Sequence, residues 1–130
     1  MQMLGAKLSS GTLPTNLGVT ADPSPRRGEV WLVSFDPSLG GEIQKTRLAV
    51  VISNDTANAV LNRIQVVPIS SKVERLYPAE AYVSLNGERR KAMADQITTV
   101  SKRRLKRRLD EFGKDDFDAV TRVVRLHLGL

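Results

Sequence analysis

Apolar residues in the first two thirds of the chain come in short dense runs separated by polar turns, and in the last third they recur with a helical spacing. Glu29 to Phe35 is dense in Val30, Trp31, Leu32, Val33 and Phe35 and predicts a strand. Leu48 to Ile52 is an unbroken apolar run of the buried-strand kind. Arg63 to Ser70 predicts a third strand through Ile64, Val66, Val67 and Ile69, and Pro68 near its end points to a sheet edge or a bulge. Tyr82 to Leu85 predicts a fourth, closed by the turn pair Asn86-Gly87, and Met93 to Val100 predicts further sheet.

The period then changes. Ser101 to about Leu109 suits a short helix with Ser101 as N-cap, because Leu105 and Leu109 stand four apart with charges between them. A second helix follows, with Asp115, Asp116 and Asp118 crowding its first turns and Arg122 and Arg125 toward its end. Phe117, Val120, Val124 and Leu128 form its expected apolar stripe. Strands first and helices last predict a mainly β fold, a small barrel or curled sheet closed by C-terminal helices.

Residues 1–25 break this pattern. They hold Gly5, Gly11, Pro14, Gly18, Pro23 and Pro25 among Ser, Thr and Asn, and are expected to form a flexible N-terminal extension with no chemistry of its own. Residues 26–130 then form one domain, large enough for a single apolar core.

Charge narrows the partner. With 20 Lys and Arg against 14 Asp and Glu, the chain carries a formal +6, which favours an anionic partner, nucleic acid first. The excess is local: residues 89–108 hold nine basic residues and one acid, Asp95, for +8, while everything else sums to −2. Such a cluster reads equally as a solvated helix face or as a phosphate-binding stretch.

Cysteine is absent, which excludes disulfides and thiolate metal sites, and the single histidine, His127, has no second histidine at metal-ligand spacing. A metal-dependent nuclease is disfavoured, and no metal or cofactor is called for. No apolar run approaches the roughly 18 residues that span a bilayer, and residues 1–25 lack an apolar segment behind a basic start. A cytoplasmic location without membrane contact is the expectation.

The most chemically suggestive segment runs from Phe35-Asp36-Pro37 through Gly40-Gly41-Glu42-Ile43-Gln44-Lys45-Thr46 to Arg47, just ahead of the apolar strand. A glycine-hinged polar loop ending in arginine presents a cation to a phosphate or carboxylate. An arginine in that place is also commonly half of a surface salt bridge.

Several separated segments together resemble the MazF/PemK family of toxin endoribonucleases. They are Arg27-Gly28-Glu29-Val30-Trp31, Phe35-Asp36-Pro37, Gly40-Gly41-Glu42 through Arg47, Ala49-Val50-Val51-Ile52, Val67-Pro68-Ile69-Ser70-Ser71, Ala94-Asp95-Gln96-Ile97 and the ending Leu126-His127-Leu128-Gly129-Leu130. The likeness spans about residues 26–130. It implies an SH3-like barrel of the MazF/PemK/CcdB type with helical additions, usually a homodimer. It also implies metal-independent cleavage of single-stranded RNA to a 2′,3′-cyclic phosphate and a 5′-hydroxyl, blocked by a cognate antitoxin that inserts an acidic segment.

Carried over residue by residue, Arg47 matches the family's catalytic arginine. Ser70 stands where the family usually has a catalytic threonine, keeping the hydroxyl without the methyl that restricts its rotamer. Gly40-Gly41-Glu42-Ile43 replaces the usual Gly-Ser-Glu-Gln, and Arg47-Leu48 replaces Arg-Pro. The resemblance places Gly40, Gly41, Gln44, Lys45, Asp95 and Gln96 against RNA, and the basic stretch adds Arg103, Arg104, Arg107 and Arg108.

These residues suit the chemistry. Attack by a ribose 2′-hydroxyl on phosphorus needs charge neutralised on the non-bridging oxygens, one proton removed and another supplied. Arg47, charged at any working pH and able to grip phosphate at two points, serves the first need. Ser70 donates to the same phosphate, and Glu42 is the motif carboxylate available as a base or to hold a nucleotide base. Plainer roles stand beside these: Ser70 as a turn residue, Glu42 as a solvated charge, Asp95 and Gln96 as strand caps, and Trp31, Tyr77 and Tyr82 as core rather than stacking platforms.

Two rival functions remain at this stage. A non-enzymatic nucleic-acid module would bind without cutting, though the few aromatics fit it poorly. A CcdB-type gyrase-binding toxin would share the barrel without the arginine-centred site.

Overall fold

The computed structural model describes residues 24–35 and 45–130. The expected extension, apart from Ser24 and Pro25, and the loop residues Gly40, Gly41, Glu42 and Gln44 lie outside the described residues. Pro25 is buried, so packing begins ahead of the expected boundary at residue 26.

Seven strands form one antiparallel sheet: β1 (Glu29–Phe35), β2 (Lys45–Val51), β3 (Arg63–Ser70), β4 (Glu80–Leu85), β5 (Glu88–Met93), β6 (Thr98–Ser101) and β7 (Leu105–Glu111). A short helix α1 (Asp55–Val60) joins β2 to β3, and α2 (Lys114–Leu128) ends the chain. The spatial order is β4-β5-β3-β2-β1-β7, with β6 on β3. Among the described residues no ladder closes the sheet, so it is curled but open.

The three central strands are apolar on both faces because both are covered. On one face Val30, Val50, Val67 and Ile69 meet Val83, Leu85, Ala92 and Phe112 under Val120 of α2. On the other, Trp31, Val33, Ala49, Val51, Ile64 and Val66 close on Val100 and Leu105 inside the curl. Trp31 is therefore core, and its indole Nε1 donates to Glu29 Oε1 at 3.0 Å.

Four expectations are corrected. The basic stretch is not a helix. The Ser101 hydroxyl does cap a turn by accepting from Arg103 N at 3.2 Å, but that turn is a single 3-10 turn over Lys102–Arg104. The chain then extends as β7 along β1, whose edge would otherwise be unpaired. The spacing of Leu105 and Leu109 misleads because an interval of four fits a strand as well as a helix, and β7 undergoes two register shifts against β1 over this interval.

Met93 to Val100 is interrupted rather than continuous sheet, with a 3-10 turn at Ala94–Gln96 between β5 and β6. The Asn86-Gly87 turn, with φ of 53° and 78°, closes β4 as expected and also opens β5, whose charges Glu88, Arg89, Arg90 and Lys91 conceal it in the sequence.

Pro68 lies in the sheet interior. Ile52 N donates to Gln65 O at 3.0 Å, so by alternation Ala49–Pro68 is a non-hydrogen-bonded pair and the missing N–H faces the opposite edge. There β6 pairs only as far as Val66 and β5 begins at Ile69, so no ladder bond is lost. In α2, Val123 is buried and Leu128 is half exposed, which moves the apolar stripe toward the helix middle.

Candidate active site

Arg47 is the third residue of β2, paired with Val33, rather than the last residue of a loop. The β2–β3 ladder runs Val51↔Val66, Val50↔Val67, Ala49↔Pro68 and stops. Continued by two residues, the same register would set Arg47 opposite Ser70. The strands separate there, and the opening is a cavity of about 310 Å³ lined by both residues together with Thr46, Ser71, Lys72 and Arg90.

The cavity is cationic. The Arg47 side chain is exposed and makes no hydrogen bond or ion pair with any described residue. Lys72 is exposed beside it, and Arg90 is held at 3.2 Å from Glu88. No carboxylate lines this cavity among the described residues. Ser70 Oγ accepts from Lys72 N at 3.1 Å, so its acceptor side is engaged and its O–H proton is left to donate. The turn role and the donor role of Ser70 are thus compatible.

The segment after Ser70 is firmly tied. Tyr82 Oη donates to Val73 O at 2.8 Å, Lys91 Nζ to Arg75 O at 2.9 Å, and Tyr77 N to Glu80 Oε1 at 2.9 Å. Tyr82 serves the fold in this way, while Tyr77 remains half exposed beside Arg75.

Arg47 also borders a second cavity of about 240 Å³, formed with Phe35, Lys45, Pro68, Gln96 and Thr98. The structure thus brings Lys45 and Gln96 to the arginine. Asp95, exposed in the same turn as Gln96, lines neither cavity. Phe35 and Lys45, which both line this cavity, are cross-strand partners.

The basic stretch divides. Arg103 and Arg104 line a third cavity with Ser34, Ser101 and Lys106. Arg107 is exposed on β7. Arg108 is engaged, at 3.0 Å from Glu29 and 3.5 Å from Glu111. Thr46, Lys72, Arg90 and Lys106 are not among the site residues expected from the sequence, although Arg90 and Lys106 belong to its basic stretch; Lys72 follows the Ser70-Ser71 motif, and only strand pairing brings Arg90 to the cavity. Among the described residues no group of three or more His, Asp or Glu side chains gathers in metal-binding fashion.

Residues 26–128 match the family described as PemK-like, MazF-like toxin of type II toxin-antitoxin system. The endoribonuclease MazF9 of Mycobacterium tuberculosis is 36% identical over 114 residues, covering 81% of this chain and 97% of that protein. The crystal structure of MazF (Form-I) from Deinococcus radiodurans superposes with a TM-score of 0.70 at 27% identity, over 84% of this chain and 100% of that one. The MazE-MazF (Form-II) structure from the same organism gives a TM-score of 0.72 at 27% identity, over 84% and 99%. Together with the cationic cleft between Arg47 and Ser70, these matches show that the chain belongs to the PemK-like, MazF-like toxins of type II toxin-antitoxin systems.

Proposed function

We propose that this chain is an endoribonuclease toxin that cuts single-stranded RNA in the cleft between Arg47 and Ser70. The observation that carries the site is the in-register separation of β2 and β3, which sets a guanidinium with no partner among the described residues and one hydroxyl donor across a cationic cavity. A phosphate seated there meets Arg47 at two points, and Lys72 and Arg90 add positive potential.

The reaction is transfer of the phosphoryl group to its own ribose. The 2′-hydroxyl gives up its proton as its oxygen bonds to phosphorus, and the 5′-oxygen of the next nucleotide leaves and takes up a proton, giving a 2′,3′-cyclic phosphate and a 5′-hydroxyl. Arg47 neutralises charge growing on the non-bridging oxygens, and the Ser70 hydroxyl donates a further hydrogen bond. Arginine, with a pKa above about 12, suits this electrostatic role better than proton removal. Glu42 is the first carboxylate to test as the base.

The MazF9 relative, an endoribonuclease by name, supports the activity, and the neighbour solved with MazE supports a cognate antitoxin as partner. A homodimer and a cytoplasmic location complete the reading; no described helix is long and apolar enough to cross a membrane. Incubation with a long single-stranded RNA in EDTA, followed by end mapping, tests it. Cyclic phosphate and 5′-hydroxyl ends at recurrent sequences are expected. An intact RNA, or ends that require added metal, would refute it.

A further inference from the structure

We propose that the cavity formed by Ser34, Ser101, Arg103, Arg104 and Lys106 is a second phosphate seat, holding a backbone phosphate that flanks the one cut at Arg47. The inference rests on the endoribonuclease reading and adds a substrate contact to it. Ser34 carries the argument. It is 2% exposed, and its hydroxyl is the one buried side-chain polar atom without a hydrogen-bond partner among the described residues. A buried hydroxyl left unpaired costs free energy unless something completes it.

The surroundings say what that partner is. Arg103 and Lys106 are exposed and form no ion pair with a described residue, and no carboxylate lines the cavity among the described residues. Arg104 Nη1 donates to the Ser34 carbonyl oxygen at 3.3 Å, which fixes the strand at this point. Two hydroxyls and the exposed cations Arg103 and Lys106 around one cavity fit a phosphate and repel a cation or an apolar base.

Its place on the sheet says which phosphate. The cross-strand partner of Ser34 is Thr46, which lines the Arg47–Ser70 cavity, and Leu32, two residues before Ser34, lines that cavity too. Directly opposed residues share a face, with Cβ atoms about 5 Å apart. The two cavities are therefore neighbours across β1, and a single strand with its scissile phosphate in the Arg47–Ser70 cavity is placed to bring a flanking phosphate to the other.

The test uses the wild type, Ser34→Ala and Lys106→Gln with an oligoribonucleotide spanning a mapped cleavage site. One linkage at a time, other than the scissile one, is made a neutral methylphosphonate. In the wild type one flanking linkage should raise KM about tenfold with kcat little changed, as for a lost charge-assisted hydrogen bond. In both variants that penalty should shrink while penalties at other linkages stay. Equal penalties in wild type and variants at every linkage would overturn the seat while leaving the nuclease reading intact; no cleavage by the wild type would overturn both. Without RNA, Ser34→Ala should melt at or above the wild-type temperature. A clear drop would mark the hydroxyl as structural and overturn its role here.

Discussion

The Lys91 ammonium lies 2.8 Å from the Glu80 carboxylate with both side chains only 7% exposed, and Lys91 is the ladder partner of Ser70. The buried pair thus sits directly beside the candidate site and, through Arg75 O and Tyr77 N, ties down the segment that follows Ser70. Lys91→Met leaves Glu80 buried without its counter-charge and is expected to cost about 3–5 kcal/mol. Adding Glu80→Gln removes the stranded charge, so the double variant should be more stable than Lys91→Met alone. Urea denaturation measures both; a loss under about 1 kcal/mol for Lys91→Met would mean that Glu80 finds another partner.

Acid sensitivity is expected at the start of the domain. Asp55 accepts from Arg27 N at 2.7 Å and lies 3.3 Å from Arg26. The Arg27 backbone donor, with help from Asn58 and the two arginines, holds its carboxyl below the usual range against a smaller opposing effect of burial. A carboxyl whose folded pKa lies below its unfolded value stabilises the fold above the unfolded pKa, near 3.9, and that contribution is lost as pH falls through the folded value. Asp55→Asn should therefore melt below wild type at pH 7, with the two curves converging in acid. A gap independent of pH would assign the effect to packing.

How far the sequence anticipates this structure depends on how many layers each segment touches. Strands β1 and β3 were legible because both faces are buried, so composition alone marks them. β5 and β7 were not, because Glu88 to Lys91 and Lys106 to Arg108 are polar segments whose strand state comes from pairing with neighbouring strands. The same divide governs the site. Arg47 and Ser70 were found through their motif neighbours, whereas Arg90 enters the cavity only because β5 pairs with β3, a contact no local pattern encodes. No local pattern marks Ser34, whose buried hydroxyl has no hydrogen-bond partner among the described residues.

The arginines of the basic stretch should separate by function. Arg103→Gln and Arg107→Gln remove exposed cations and should weaken RNA binding, each lowering the salt slope by about one. Arg108 instead faces Glu29, which also accepts from Trp31 and is largely buried. Arg108→Gln is expected to destabilise by about 1 kcal/mol, screened by the half-exposure of Arg108, with a smaller effect on the salt slope. Binding isotherms at several salt concentrations, with thermal melts, check this. Equal slopes for all three variants would make the stretch a uniform electrostatic face.

Arg47 is where the proposed mechanism is most exposed to test. Its side chain is exposed and unpaired among the described residues, so Arg47→Ala should fold as wild type does, with an unchanged circular dichroism spectrum and melting temperature. Cleavage should fall at least about a hundredfold, the usual loss for one charge-stabilising donor. Arg47→Lys should recover part of that, since lysine restores the charge but not the planar fork, and full activity would rule out two-point phosphate recognition. Ser70→Ala should cost less, because a neutral donor is removed and water can replace it. It should also loosen the turn, since Lys72 N loses its acceptor. Wild-type cleavage by a folded Arg47→Ala protein would remove the arginine from the reaction and turn the search to Lys72 and Arg90 across the same cavity.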